Sequence, residues 1–157
     1  MSHSVRDEQA TTAREFAEIV ARIDDATLER AMADDGTRAL VLHGVFGQMP
    51  DRLHRERAVG VDAVVHWQVG RRPDVWTVRI TDGRCTVTEG LAGTPTVRFD
   101  IGNVAFLRLI SGQASGMGLI LTGKLRLAGS MAFARQVEDL FVTDTGGGAR
   151  RGLRRRR

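Results

Sequence analysis

The sequence predicts an α+β protein in which helices cover one side of a mostly antiparallel sheet, and its 157 residues are the size of one domain. Three observations support this prediction. Apolar residues recur at helical spacing over the first fifty residues. From residue 63 they alternate with polar residues, as in strands with one buried face. From residue 106 large apolar side chains are separated by glycines, and no group of reactive side chains lies among them.

The N-terminal part predicts three helices. The first covers residues 12–23, and the second covers about 26–34, with Asp25 as its N-cap and Gly36 at its end. The third covers about 38–49, where apolar residues recur every four positions. Part of this third segment is a short apolar run, which is ambiguous between helix and strand, so a strand is the alternative assignment there.

The middle of the chain predicts strands. Alternation is clear over residues 63–69 and 76–80. Residues 81–84, Thr-Asp-Gly-Arg, indicate a hairpin turn into a strand over 85–88. A loop rich in glycine and proline precedes a further strand over 97–101. Each strand has one apolar and one more polar face, which favours a sheet that is covered on one side.

The C-terminal half predicts two helices around a short strand. Asn103 is a candidate N-cap of a helix that ends at Gly112, and a short helix or turn follows to Leu121. Residues 124–127 form a short strand between glycines. Ser130 is the candidate N-cap of the last helix.

The basic charge of the chain lies in its C-terminal tail. Six of the last eight residues are arginines, and without residues 143–157 the chain has 17 basic and 18 acidic side chains. The segment 143–157 has too few apolar residues for a core and is predicted to be disordered. This segment has three interpretations: an inert solvated end, a contact for anionic lipid head groups, or a nonspecific contact for nucleic acid. Clustered arginines do not distinguish lipid contact from nucleic-acid contact. A specific nucleic-acid partner is not expected.

The remaining composition indicates a cytoplasmic protein. Cys85 is the only cysteine, so no internal disulfide is expected. The polar N-terminus lacks the apolar core of a signal peptide, and no stretch is long and apolar enough to cross a bilayer. We divide the chain into N-terminal helices (1–36), a main domain (37–142) and the tail (143–157).

Motifs for catalysis, cofactors or metals are not found. Residues 118–125 approach a phosphate-binding P-loop, but Leu125 stands where that motif requires Ser or Thr. No G-x-S-x-G elbow and no Cys and His spacing typical of zinc ligands occurs. His66, on a strand, is interpreted as a solvated or hydrogen-bonded side chain. We therefore expect no catalytic residue, no cofactor and no metal.

Large apolar residues in the second half have two interpretations. Trp67 and Trp76 suit a packed core as well as the wall of a cavity. The same holds for the residues between Phe106 and Phe133, where methionines and glycines favour an adaptable wall.

Three segments carry a family resemblance. They are WTVRITDGRCTV, TVRFDIGNVAFLRLISG and TGKLRLAGSMAFA, within residues 60–141. Together they resemble the sterol carrier protein type two family of lipid-binding domains, in the stand-alone form found in actinobacteria. The N-terminal helices match that family only in general character.

The resemblance implies a five-stranded sheet with an apolar tunnel between sheet and helices. It implies non-catalytic binding and transfer or presentation of a sterol, fatty acid or fatty acyl-CoA. An alternative is an enzyme or accessory factor that acts on a steroid-like or polyketide-like molecule in the same cavity, with His43, Asp100 or Cys85 as acid or base. The lining residues implied by the resemblance are Trp67, Trp76, Phe106, Ile110, Met117, Ile120, Leu121, Met131, Phe133 and Phe141.

Overall fold

The computed structural model describes residues 13–71 and 74–141, and two of its N-terminal helices begin at capping aspartates. Helix α1 includes residues 13–22 of the described part. Helix α2 (Asp25–Ala33) begins at Asp24, whose Oδ1 accepts the Thr27 N–H at 2.8 Å. The predicted N-cap, Asp25, was therefore wrong by one position. In an Asp-Asp pair either residue is a suitable cap, and only the backbone conformation selects one.

Helix α3 (Asp35–Arg52) is longer than predicted and confirms a helix rather than a strand. The Asp34 carboxylate accepts both the backbone N–H and the hydroxyl of Thr37 at 2.8 Å. Gly36 therefore lies in the first turn of α3 and does not end α2, because Asp34 alone separates the two helices. The helix includes Pro50 and is followed by the short helix α4 (Arg55–Ala58).

The substitution Asp34→Asn is expected to remove a pH-dependent part of the stability. Hydrogen bonds from Thr37 hold the pKa of the Asp34 carboxyl below its usual value. A folded-state pKa below the unfolded one stabilises fully above the unfolded pKa, and this stabilisation is lost as the pH falls through the folded pKa. The difference in Tm between wild type and Asp34→Asn should therefore close below about pH 4. Thermal melts from neutral to acidic pH measure it, and a pH-independent difference would contradict the prediction.

All five predicted strands are present. They are β1 (Asp62–Val69), β2 (Asp74–Thr81), β3 (Arg84–Glu89), β4 (Val97–Ile101) and β5 (Leu125–Gly129). They form one open sheet in the order β3-β2-β1-β4-β5. The β1–β4 pair is parallel and the other three pairs are antiparallel, so the sheet is mixed but mostly antiparallel.

The loop between β3 and β4 covers the back of the sheet. Ala92 donates its N–H to Thr77 on β2, and its carbonyl lies 2.9 Å from the His66 ring on β1. Thr96 then donates its N–H to the Val64 carbonyl on β1. His66 is consequently buried and hydrogen-bonded, and the central strand has two buried faces rather than one polar face. By crossing the back face in this way, the loop brings β4 alongside β1 in the parallel direction.

Three helices complete the fold after β4. Helix α5 (Asn103–Ile110) begins at Gly102, which corrects the predicted N-cap: Asn103 is its first residue. Helix α6 (Gly116–Leu121) is capped by the Ser115 side chain. Helix α7 (Met131–Leu140) is capped as predicted by Ser130, whose hydroxyl accepts the Phe133 N–H at 3.0 Å.

Arg108 of α5 fastens the N-terminal helices to the rest of the fold. Its guanidinium donates to the carbonyl oxygens of Val20 and Ile23, both at 2.7 Å, and to the Asp25 carboxylate, also at 2.7 Å. Since these acceptors lie at the end of α1 and the start of α2, one side chain holds both helices against α5.

The core lies between the helices and one face of the sheet. Phe46 of α3 is fully buried at its centre, with its ring stacked on Trp76 at a centroid distance of 4.7 Å and on Phe106 at 5.6 Å. Trp67 meets Phe46 and Phe106 edge to face, at 6.4 and 5.6 Å. These four rings, which we call the aromatic cluster, join α3 and α5 to β1 and β2.

The first residue of the predicted first helix, residue 12, and the predicted disordered tail, 143–157, lie outside the described residues. Within the described part of the chain, no helix combines the length and apolar character needed to cross a membrane.

Candidate functional site

Three apolar cavities lie beside the aromatic cluster. The first, which we call the α1 groove, has a volume of about 320 Å³. Its walls include Phe16 of α1, Val41 and Val45 of α3, and Ile110 of α5. The groove exists because α3 presents an apolar residue every turn on this side and α1 covers it only in part.

The second, the central cavity, lies between the sheet and the helices and has a volume of about 220 Å³. The sheet supplies Trp67 and two valines, and α3 supplies Val45 and Met49. The end of α7 closes it with Val137 and Phe141. Val65 and Trp67 of β1 pair with Val78 and Trp76 of β2 in register, so this part of the sheet face is apolar across both strands.

The third, the α6–α7 cavity, has a volume of about 210 Å³. Trp67 and Phe99 supply its sheet side. Met117 and Ile120 supply the α6 wall, and α7 supplies the opposite wall, where Met131 and Ala134 are one turn apart.

The three cavities adjoin one another: the central and α6–α7 cavities lie against the sheet, and the α1 groove lies beside them between helices. The central cavity shares Trp67, Leu109 and Val137 with the α6–α7 cavity. It shares Val45 and Ile110 with the α1 groove. The α1 groove, at about 320 Å³, lies at the lower end of the range of roughly 300–1,000 Å³ that is typical of ligand sites, and the other two cavities, at about 220 and 210 Å³, lie below it.

Six of the ten residues expected to line a cavity lie in these walls. They are Trp67, Ile110, Met117, Ile120, Met131 and Phe141.

The other four expected residues lie elsewhere. Trp76 and Phe106 are packed within the aromatic cluster, and Phe133 is buried on α7 outside the three walls. Leu121 is 79% exposed. Neighbouring helix positions differ by about 100° in direction, so Ile120 and Leu121 face different surroundings although both are apolar.

Several lining residues were not expected from the sequence. For two of them the sequence contains a periodic pattern that could have identified them, because Val45 and Met49 are one turn apart on the apolar stripe of α3. Val137 likewise precedes Phe141 by one turn on α7. Phe99 and Leu109 carry no such signal, because a strand or helix pattern does not say which apolar residues meet a void rather than a neighbour.

Charged side chains lie at the borders of the row. Glu138 contributes to the central and α6–α7 cavities, and Arg52 contributes to the α1 groove and the central cavity. Glu138 Oε2 accepts the Gly116 N–H at 2.9 Å and so joins α7 to the start of α6. A Cβ at position 116 would lie 3.0 Å from Glu138 Oε1, so a larger residue there would displace the carboxylate by a few tenths of an ångström.

The end of α7 is attached to the end of α3. His54 donates its N–H to the Leu140 carbonyl at 2.7 Å, and Leu53 pairs with Phe141 in an isolated β-bridge. The start of α7 follows Gly129, which has a φ of 106°. The Phe141 side of the central cavity is therefore held by backbone hydrogen bonds, while the Met131 side of the α6–α7 cavity follows a glycine turn.

The three residues considered as acid or base do not line any of these cavities. The His43 side chain is exposed near Trp76 and lies 3.6 Å from Glu89, and Asp100 lies in a separate polar depression. Cys85 is half-buried on β3, and its desolvation raises the pKa of the thiol to about 11. Among the described residues, no three His, Cys, Asp or Glu side chains are grouped so that they could hold a metal ion.

Comparisons with known proteins bear on this arrangement. A model described as the SCP-2 sterol transfer family matches residues 44–142, which is more than half of the chain. A search of curated proteins gives no significant match.

Two of the solved structures that are similar to this chain are informative. The inverting sec-alkylsulfatase Pisa1 from Pseudomonas sp. is 18% identical with a TM-score of 0.62, over 69% of this chain but only 17% of that protein. Sterol carrier protein 2 from Yarrowia lipolytica, in its apo form, is 19% identical with a TM-score of 0.52, over 60% of this chain and 84% of that one. At these identities both likenesses establish the fold.

Proposed function

Since this chain belongs to the SCP-2 sterol transfer family, we propose that it binds an apolar lipid between its sheet and its helices and transfers or presents that lipid. Lipid binding or transfer is the general function of this family. The observation that carries the proposal for this chain is the row of three adjoining apolar cavities, two of which lie against one sheet face.

We place the lipid against Trp67, at the boundary between the central and the α6–α7 cavities. Ile120 and Met131 then lie on the α6–α7 side, and Ile110 and Phe141 lie on the side towards α3. Methionines are suited to such a wall, because their unbranched side chains adapt to ligands of different shape. An elongated ligand, such as a fatty acyl chain or a sterol, fits a row better than a compact one.

The expected affinity permits release as well as capture. A lipid that buries about 400 Å² of apolar surface gains roughly 10 kcal/mol. Immobilisation of the ligand offsets several kcal/mol of this gain. The remainder corresponds to a Kd in the micromolar range or somewhat below, which suits a reversible carrier.

The N-terminal helices contribute to this function in our proposal. Phe16 of α1 lies in the wall of the α1 groove, and Arg108 holds α1 and α2 on the domain. We therefore propose that α1, which Arg108 holds in place together with α2, covers the α3 end of the row. The six C-terminal arginines would add attraction to anionic membranes.

Native mass spectrometry of the purified protein tests the proposal. We expect one or more adducts of lipid mass, which organic extraction and lipid mass spectrometry would identify. Titration with a fluorescent fatty acid and a fluorescent sterol should show saturable binding at one site. A protein that carries no lipid and binds neither probe would contradict the proposal. Chemical conversion of a bound ligand would instead favour the enzymatic alternative.

A further inference from the structure

Three exposed apolar side chains lie together where α6 meets α7. Leu121 is 79% exposed, Met131 is 46% exposed and Met117 is 38% exposed. Met117 and Leu121 are one turn apart on α6, so they lie on the same side of the helix. Met117 and Met131 both line the α6–α7 cavity and are therefore neighbours across it. We call these three residues the lip.

The lip surrounds an opening of the α6–α7 cavity. Met117 and Met131 are at once part of the cavity wall and accessible to solvent, as expected where the wall reaches the surface. The other large exposed apolar residues of the described part of the chain do not line the α6–α7 cavity. Leu91 and Val59 line none of the three cavities, and Leu40 lines the α1 groove. Exposed apolar groups that frame a cavity opening suit contact with an apolar partner.

The segment that carries the lip is basic. Residues 101–137 contain no aspartate or glutamate. Lys124, just beyond the end of α6, and Arg135, in the wall of the α6–α7 cavity, are both exposed. Arg126 stands opposite Asp100 in the β4–β5 register and Arg108 is bound to Asp25, so neither is counted here. One acid, Glu138, also lies in the wall of the α6–α7 cavity, and its charged carboxylate accepts the Gly116 N–H.

We propose that the lip docks on an anionic lipid bilayer and that the lipid passes through it into the α6–α7 cavity. This inference rests on the proposed lipid-binding function and names the surface from which the lipid is taken. Apolar side chains that enter the head-group region and cations that meet anionic head groups act together at such a surface. Because α6 and α7 hold six and ten residues, they would lie at the surface without spanning it.

A probe at the lip separates this docking from binding through the arginine tail. The variant Leu121→Cys, in a Cys85→Ser background, carries an environment-sensitive NBD label, and Leu91→Cys carries the same label as the control. On addition of vesicles of equal parts phosphatidylglycerol and phosphatidylcholine, the label at 121 should shift to shorter wavelength and become protected from iodide. The label at 91 should remain accessible. If the protein binds the vesicles and the two labels respond alike, the lip proposal is wrong.

A second comparison links docking to transfer. Leu121→Asp should slow the uptake of a fluorescent fatty acid from these vesicles at least tenfold, because a carboxylate would have to enter the head-group region. Leu91→Asp, which also replaces an exposed leucine, should leave uptake within twofold of wild type. The affinity of both variants for the same fatty acid offered in solution should be unchanged. Normal uptake by Leu121→Asp would overturn the lip proposal alone, whereas no binding in solution by the wild type would overturn the proposed function.

Discussion

Replacing Phe46 with alanine is expected to lower the free energy of unfolding by about 3–5 kcal/mol. The side chain is fully buried and stacks on Trp76 and Phe106 at centroid distances of 4.7 and 5.6 Å. Its removal would leave a cavity among rings that belong to α5 and the sheet, and rigid aromatic neighbours relax little into such a space. Urea denaturation followed by far-ultraviolet circular dichroism measures the change.

Leu40→Ala on the same helix is the matched control for Phe46→Ala. Leu40 is largely exposed, so its truncation should change the free energy of unfolding by no more than about 0.5 kcal/mol. If Phe46→Ala cost less than about 1 kcal/mol, the aromatic cluster would not be the main connection between α3 and the sheet.

Replacing Ile120 with aspartate is expected to weaken lipid binding by about a hundredfold or more, because a bound hydrocarbon would have to desolvate the new carboxylate. Ile120 is half-buried and lies in the wall of the α6–α7 cavity, opposite α7. Fluorescence titration with a labelled fatty acid in the absence of vesicles measures the Kd. Circular dichroism and a thermal melt establish that the variant is folded.

Leu121→Asp is the matched control for Ile120→Asp, since it places the same charge on the neighbouring residue of the same helix. Leu121 is 79% exposed and outside the cavity walls, so this variant should bind the soluble fatty acid like wild type. If Ile120→Asp does not fold, Ala134→Phe fills the same cavity from α7 without a charge and should also weaken binding. Normal binding by a folded variant of either kind would exclude the α6–α7 cavity as the lipid site.

The two aspartate variants on α6 should therefore have opposite effects. Ile120→Asp should lose binding in solution, and Leu121→Asp should lose uptake from vesicles while it keeps binding in solution. Equal behaviour of the two variants in both assays would show that α6 does not separate an inner wall from an outer lip.

The period of apolar residues was sufficient to predict the strands and most helices. Alternation along β1, β2 and β4 reports a pleated backbone directly, because successive strand residues point to opposite faces. The same signal failed for the polar side of β1. His66 is buried there by Ala92 and its loop, a contact between residues 26 positions apart that no local pattern contains.

For the candidate site, the sequence by itself determined the supply of large, adaptable apolar side chains on α5, α6 and α7. It also determined the family resemblance, because both depend on residue type and order. Only the tertiary structure decided which side chains face a void. Trp67 lines two cavities, whereas Trp76, its partner in the β1–β2 register, is covered by Phe46. The physical reason is that a cavity is a property of several elements packed around one volume, and no single element's pattern records what its neighbours leave unfilled.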